Sequence, residues 1–170
     1  MTPPELPYSE PVRLHQAGAG LTRVLRPDEA ARRRIARALD LASLDMFEAD
    51  VSLQPTAGGW SLTGRIRARL EQICGVTLEP LPVEIDETFA VSLAEAPTAT
   101  DDEIVITLDD STPDLIEDGQ IDLGQYAVEQ LALRLDPFPR KPGAEFVQPP
   151  EPAEESPFAV LRKLRPDDEG

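Results

Sequence analysis

A chain of 170 residues with a formal charge of −16 and a single cysteine has room for one sizeable core, no internal disulfide, and a surface that repels bare phosphate unless a local basic face is presented. No apolar run approaches the ~20 residues that span a bilayer. Met1-Thr2-Pro3-Pro4-Glu5 has neither the basic start nor the apolar core of a signal peptide, so a cytoplasmic protein is expected. The charge is unevenly placed: every charged residue from 92 to 122 is acidic, whereas residues 1–40 carry more arginines than acids.

After a flexible N-terminus over residues 1–10, residues 11–15 and 20–25 read as two short strands around a glycine-rich turn. His15, the only histidine, reads as a sheet residue near that turn, because no nucleophile is paired with it and a metal site needs several ligands. Pro27-Asp28-Glu29 opens a helix to about Leu39, with acids at the positive end of its dipole. Ala31, Ile35, Ala38 and Leu39 share its apolar side; Arg33, Arg34 and Arg37 face away, with Arg32 on the flank. This arginine face is the most RNA-like feature of the chain, set against the plainer reading of a solvated helix surface.

Residues 47–54 and 60–71 alternate strictly, and Pro55-Thr56-Ala57-Gly58-Gly59 between them is turn chemistry, which predicts a β-hairpin. Matching the apolar faces puts Leu53 opposite Leu62, Asp50 beside Arg65 and Glu48 beside Arg67. The Arg65, Arg67 and Arg69 row therefore has acidic neighbours, which favours cross-strand ion pairs over a phosphate-binding stripe and leaves Arg69 as the further RNA candidate. Cys74 lies at the next bend, and residues 82–93 return as a strand with Val83, Ile85, Phe89 and Val91 inward.

An acidic loop over residues 94–103, a short strand over 104–108 and a second acidic connection over 109–119 follow. The spacing of Asp109, Asp110 and Asp114 breaks the EF-hand pattern, so a solvated loop, or a docking surface for a basic protein using Asp109, Asp110, Asp114 and Asp118, is expected instead of a calcium site. The best-specified helix starts at Asp122, which can cap it, with Gln125 at the capping-box position and Ile121 and Tyr126 at the staple positions. Ala127, Val128, Leu131 and Leu135 form its buried stripe. Asp136-Pro137-Phe138-Pro139 stops it. Beyond lies a tail rich in proline and glutamate, ending in an amphipathic segment in which Phe158, Val160, Leu161 and Leu164 lie together. That layout suits a peptide docking in a partner's groove or folding back on its own domain.

Ile121-Asp122-Leu123-Gly124 leading into a helix, then Pro137-Phe138-Pro139, then Ser156-Pro157-Phe158-Ala159-Val160-Leu161, resemble the bacterial YceD family, the large ribosomal RNA subunit accumulation proteins. The residues that match its shared phrases are Cys74, Asp122, Leu123, Pro137, Pro139, Pro157, Phe158, Ala159, Val160 and Leu161, read mostly as structural or docking residues. Many relatives carry a second cysteine where Thr77 stands here, so the resemblance brings no metal site to this chain. What it implies is a non-enzymatic factor in large-subunit biogenesis.

The expected fold is α+β: a mostly antiparallel, strongly bent or barrel-like sheet over residues 11–138, packed by two helices, then a linker and docking tail over 139–170. The expected partners are ribosomal RNA, through Arg33, Arg34, Arg37 and Arg69, or a basic large-subunit ribosomal protein on the acids. The alternative is an acidic protein–protein adaptor docking through its C-terminal segment. Neither a cofactor, a metal, a membrane nor a small-molecule substrate is expected.

Overall fold

The computed structural model describes residues 6–95 and 113–146. The strand reading over 104–108, the acids Asp109 and Asp110, and the docking segment with Phe158, Val160, Leu161 and Leu164 lie outside the described residues.

The strictly alternating stretches become long strands. β3 (Ser43–Thr56) and β4 (Gly59–Ile73) form the hairpin, joined at Ala57-Gly58, and the register is the one that matched apolar faces demand: Leu53 opposite Leu62, Asp50 opposite Arg65, Glu48 opposite Arg67. A one-residue slip would have turned every core side chain to solvent. β5 (Pro80–Glu95) adds to β4 antiparallel, with Leu93 opposite Trp60. β2 (Leu21–Leu25) covers the other edge of β3, and β6 (Asp114–Ile116) joins the end of β5 in parallel, giving one sheet of order β2-β3-β4-β5-β6. This sheet stays open, which corrects the barrel-like expectation: β6 has three residues and runs along the last three of β5, so it offers no ladder for β2 to close upon.

One face carries the core. Phe47, Ala49, Val51 and Leu53 meet Leu62, Ile66, Ala68 and Leu70, then Ile85, Phe89 and Leu93, all buried. α2 (Glu29–Ala38) and α3 (Leu123–Ala132) cover that face with Ile35 and Ala36, and with Leu123, Ala127, Val128 and Leu131. In α2 Ala36 is buried and Ala38, read from the sequence as part of the apolar side, is exposed: the buried arc runs from Ala31 through Ile35 and half-buried Leu39 to Ala36, and Ala38 falls just outside its other edge. Asp28 caps α2, its carboxylate accepting from the Ala31 amide at 2.7 Å.

The N-terminal segment departs further from expectation. β1 (Pro11–Arg13) pairs with β7 (Gln120–Asp122) in a separate two-stranded sheet, and Leu14–Ala17 forms a single helical turn, α1, that buries Leu14 and Ala17. The Asp122 carboxylate caps α3 by accepting from the Gln125 amide at 3.0 Å, and it also accepts from the Glu10 amide at 2.8 Å and the Ser9 hydroxyl. Residues 9–10 are thereby strapped across the start of α3. The Gln125 side chain does not complete a capping box; it donates to Glu129 one turn on, at 2.8 Å. After α3 the chain runs back along the end of β4, with Gln72 donating to the Asp136 carbonyl at 2.9 Å and the Gly75 amide to that of Pro139 at 2.9 Å.

Candidate functional site

The arginines of α2 fall on two sides of the helix. Arg33 and Arg37 are one turn apart and, with Arg32, line an open groove of ≈ 660 Å³ between α2 and residues 41–45. Glu29 and Asp45 lie on its walls, and Glu29 pairs with Arg33. Arg32 donates to the Pro27 carbonyl at 3.0 Å; Arg37 has no acidic partner among the described residues. Arg34, about 100° further round than Arg33, lines a different groove with Tyr8, Glu10, Arg26 and Asp28, and donates to the Pro7 carbonyl at 3.1 Å. The trio read from the sequence is therefore split. Arg32, placed there on the flank, replaces Arg34 beside Arg33 and Arg37.

The outward face of the sheet is an ion ladder. Arg67 engages both Glu48 and Asp50, the latter at 2.6 Å; Arg26 reaches Glu48; and Arg65 makes a two-pronged contact with Asp86 at 2.5 and 2.7 Å. The hydrogen bond from Arg26 holds the Glu48 carboxyl below its ordinary range, and that from Arg65 does the same for Asp86. Alternation had placed Asp50 against Arg65. In the fold Asp50 instead reaches Arg67, and the partner of Arg65 comes from β5. Arg69 stands on this outward face opposite Glu84, away from the side that α2 covers.

A second convergence lies at the acidic end. The Glu117 carbonyl accepts from the Gln120 amide at 3.2 Å, closing a tight turn whose central residues, Asp118 and Gly119, both have positive φ (54° and 61°). These are the dihedral signs of a type I′ turn, which Asp-Gly accepts at least cost. The turn is pinned by the Leu14 amide, which donates to the Gly119 carbonyl at 3.0 Å. Arg13, Leu14, His15, Trp60, Glu95, Asp118 and Gly119 line an open cleft of ≈ 380 Å³ there, with the Trp60 indole donating to Glu95 at 3.4 Å. Close by in sequence, Asp114 accepts from the Tyr126 hydroxyl at 3.3 Å; burial first, and Asp114 second, push that hydroxyl up to about 12. The sequence reading assigned Trp60 to the hairpin face and His15 to a strand. Neither residue carried a signal of this meeting, which depends on β1 pairing with β7.

Cys74 is buried at the bend after β4. Its thiol is pulled down to about 6 by the Thr77 hydroxyl and then by the amides of Lys141, Thr77 and Val76, against the opposing effect of burial. The single Thr77 hydroxyl proton also has the Glu79 carboxylate at 3.1 Å and serves one acceptor at a time, so the amides of Thr77 and Lys141, each 3.4 Å from the sulfur, are the steady donors. Among the described residues no group of three or more His, Cys, Asp or Glu side chains is placed to hold a metal.

Fold and surfaces together define a small α+β domain: an open, mostly antiparallel sheet with two helices on one face, an ion ladder on the other, an arginine groove, and an acidic end. Residues 62–165, more than half the chain, match the family described as large ribosomal RNA subunit accumulation protein YceD, and the chain belongs to that family. The family description implies a role in the accumulation of large-subunit ribosomal RNA. No curated protein and no solved structure matches the chain. Among the described residues no helix is long and apolar enough to cross a membrane.

Proposed function

We propose that this protein supports large-subunit ribosomal RNA accumulation by binding, without catalysis, and that RNA phosphates enter the groove lined by Arg32, Arg33 and Arg37. The observation that carries this reading is the contrast between the two arginine sets. Arg26, Arg65 and Arg67 are occupied by acids of the same sheet, whereas in the groove Arg33 meets only the exposed Glu29 one turn back and Arg37 has no acidic partner among the described residues. Phosphate contacts release counterions, so binding through the groove falls steeply with salt. In filter binding to large-subunit ribosomal RNA, the triple change Arg32→Glu, Arg33→Glu, Arg37→Glu abolishes retention at moderate salt, while Arg69→Glu leaves it intact. Unchanged binding by the triple variant removes the proposal.

A second reading is favoured by the acidic end: β5–β6 pairing and the Asp118-Gly119 turn gather Glu95, Asp114, Glu117 and Asp118 without an ion pair to any described basic residue. On it, a basic large-subunit ribosomal protein binds there. Crosslinking in cells followed by identification of protein adducts at this end tests it, and adducts confined to the α2 side refute it.

A further inference from the structure

We propose that the cleft between the Asp118-Gly119 turn and the start of β4 receives a lysine or arginine side chain of a basic protein partner. The inference rests on the second reading above and gives it a specific contact. Three separate pieces of chain supply the walls: residues 13–15, Trp60 with Glu95 across the β4–β5 ladder, and Asp118 at the turn tip. Asp118 is placed by a turn that needs positive φ and is pinned through Gly119 to Leu14. The Trp60 N–H lies 3.4 Å from one carboxylate oxygen of exposed Glu95, a long hydrogen bond that leaves the other oxygen for a ligand.

The chemistry selects the sign of the guest. An ammonium or guanidinium entering here meets two carboxylates and an indole, and so gains charge-assisted hydrogen bonds and a cation–π contact together. A phosphate would face the same two carboxylates, with Arg13 the one arginine or lysine on the lining. Arg13 has no carboxylate within ion-pair reach among the described residues, so on the rim it competes with a cationic guest. The cleft volume, ≈ 380 Å³, also leaves room for part of the backbone that carries such a side chain.

Trp60 is the chain's only tryptophan and lines this cleft, so its emission reads occupancy there without interference from another indole. The test titrates the intact protein with an acetylated, amidated octapeptide of alternating lysine and arginine, reading peptide anisotropy for binding anywhere and Trp60 emission for occupancy of the cleft. Both signals are expected to saturate together. Asp118→Asn with Glu95→Gln weakens both by about tenfold, and asparagine keeps the positive-φ turn. Arg13→Gln, which removes the competing cation at an exposed position, tightens both by about twofold to threefold. Anisotropy that saturates while Trp60 emission stays flat, or affinity unaffected by the double variant, overturns the cleft and leaves the acidic docking surface standing. A peptide that does not bind at all sinks both, and an Arg13→Gln variant that binds more weakly overturns the cleft.

Discussion

Gly124→Ala is the substitution for which two opposing effects are large enough to be weighed. Alanine inside a helix is favoured over glycine by up to ~1 kcal/mol, less in the first turn, and on that basis the variant would be more stable. Yet a Cβ at Gly124 would lie 2.8 Å from the Glu10 nitrogen, 3.0 Å from the Ser9 carbonyl carbon and 3.1 Å from the Ser9 Cα, all of them backbone atoms. Relieving that overlap means moving the strap. Overpacking of this kind costs ~1–3 kcal/mol, and displacement also strains the bonds from Ser9 and the Glu10 amide to Asp122 and the 3.0 Å bond from the Leu123 amide to the Glu10 carbonyl. These bonds are exposed, so they add toward the low end of the ~0.5–1.5 kcal/mol typical of a hydrogen bond. The net expectation is a loss of about 1–3 kcal/mol, seen as a lower urea midpoint with unchanged slope and faster amide exchange at Glu10 and Leu123. On an Asp122→Ala background, where the strap has lost its bonds to that carboxylate and keeps the one from the Leu123 amide, the same substitution costs less. A Gly124→Ala variant as stable as the parent, with the Glu10 amide still protected, would refute the claim that close approach of the strap is why glycine stands there.

Leu131, fully buried under the sheet, should lose ~2–5 kcal/mol when cut to alanine, and half-buried Leu135 distinctly less, by urea unfolding; equal losses would contradict the described packing. Cys74 titrates at about 6 when folded and near 8.5 in an unfolded chain, so its contribution is complete above roughly pH 8.5 and is lost as pH falls through 6. Cys74→Ser is accordingly expected to cost more at pH 8.5 than at pH 5.5, and equal cost at both would show that the amides do not favour the thiolate. The Glu48 carboxyl is held below its ordinary range by Arg26 and Arg67, so its stabilisation is present at neutrality and disappears as pH falls through that lowered value. Glu48→Gln should lower the urea midpoint at pH 7, with the deficit shrinking on acidification; a deficit that grows toward acid reverses the sign and refutes the linkage.

The hairpin was legible residue by residue because alternation over long stretches leaves one register that buries both apolar faces, and the open turn between them carries Gly58 and Gly59. The α3 start was equally plain, since Asp122 has a strong local preference for the position it takes. What escaped was long-range and short. The three-residue β7 has no periodicity to read, and its pairing with β1, whose stretch did read as a strand, is what brings His15 and Arg13 to Trp60 and Asp118. The arginine face was visible as a composition, but which arginines share a surface depended on where α2 sits over the sheet, and that placed Arg34 with the N-terminal segment and Arg32 in the groove. Asp86 was missed as the partner of Arg65 because the sequence reading paired only the two hairpin strands.

The link from the Glu10 amide to Asp122 spans 112 positions. β3, β4 and β5 follow one another directly and need only neighbouring turns to meet, so they can assemble from the middle of the polypeptide while it is still being made. Residues 9–13 are made ahead of β7 and α3 and must wait for them before they can pair there. A nascent chain halted before residue 120 would have its sheet and the arginine groove of α2, but not the β1–β7 pairing that brings residues 13–15 to the Asp118-Gly119 turn.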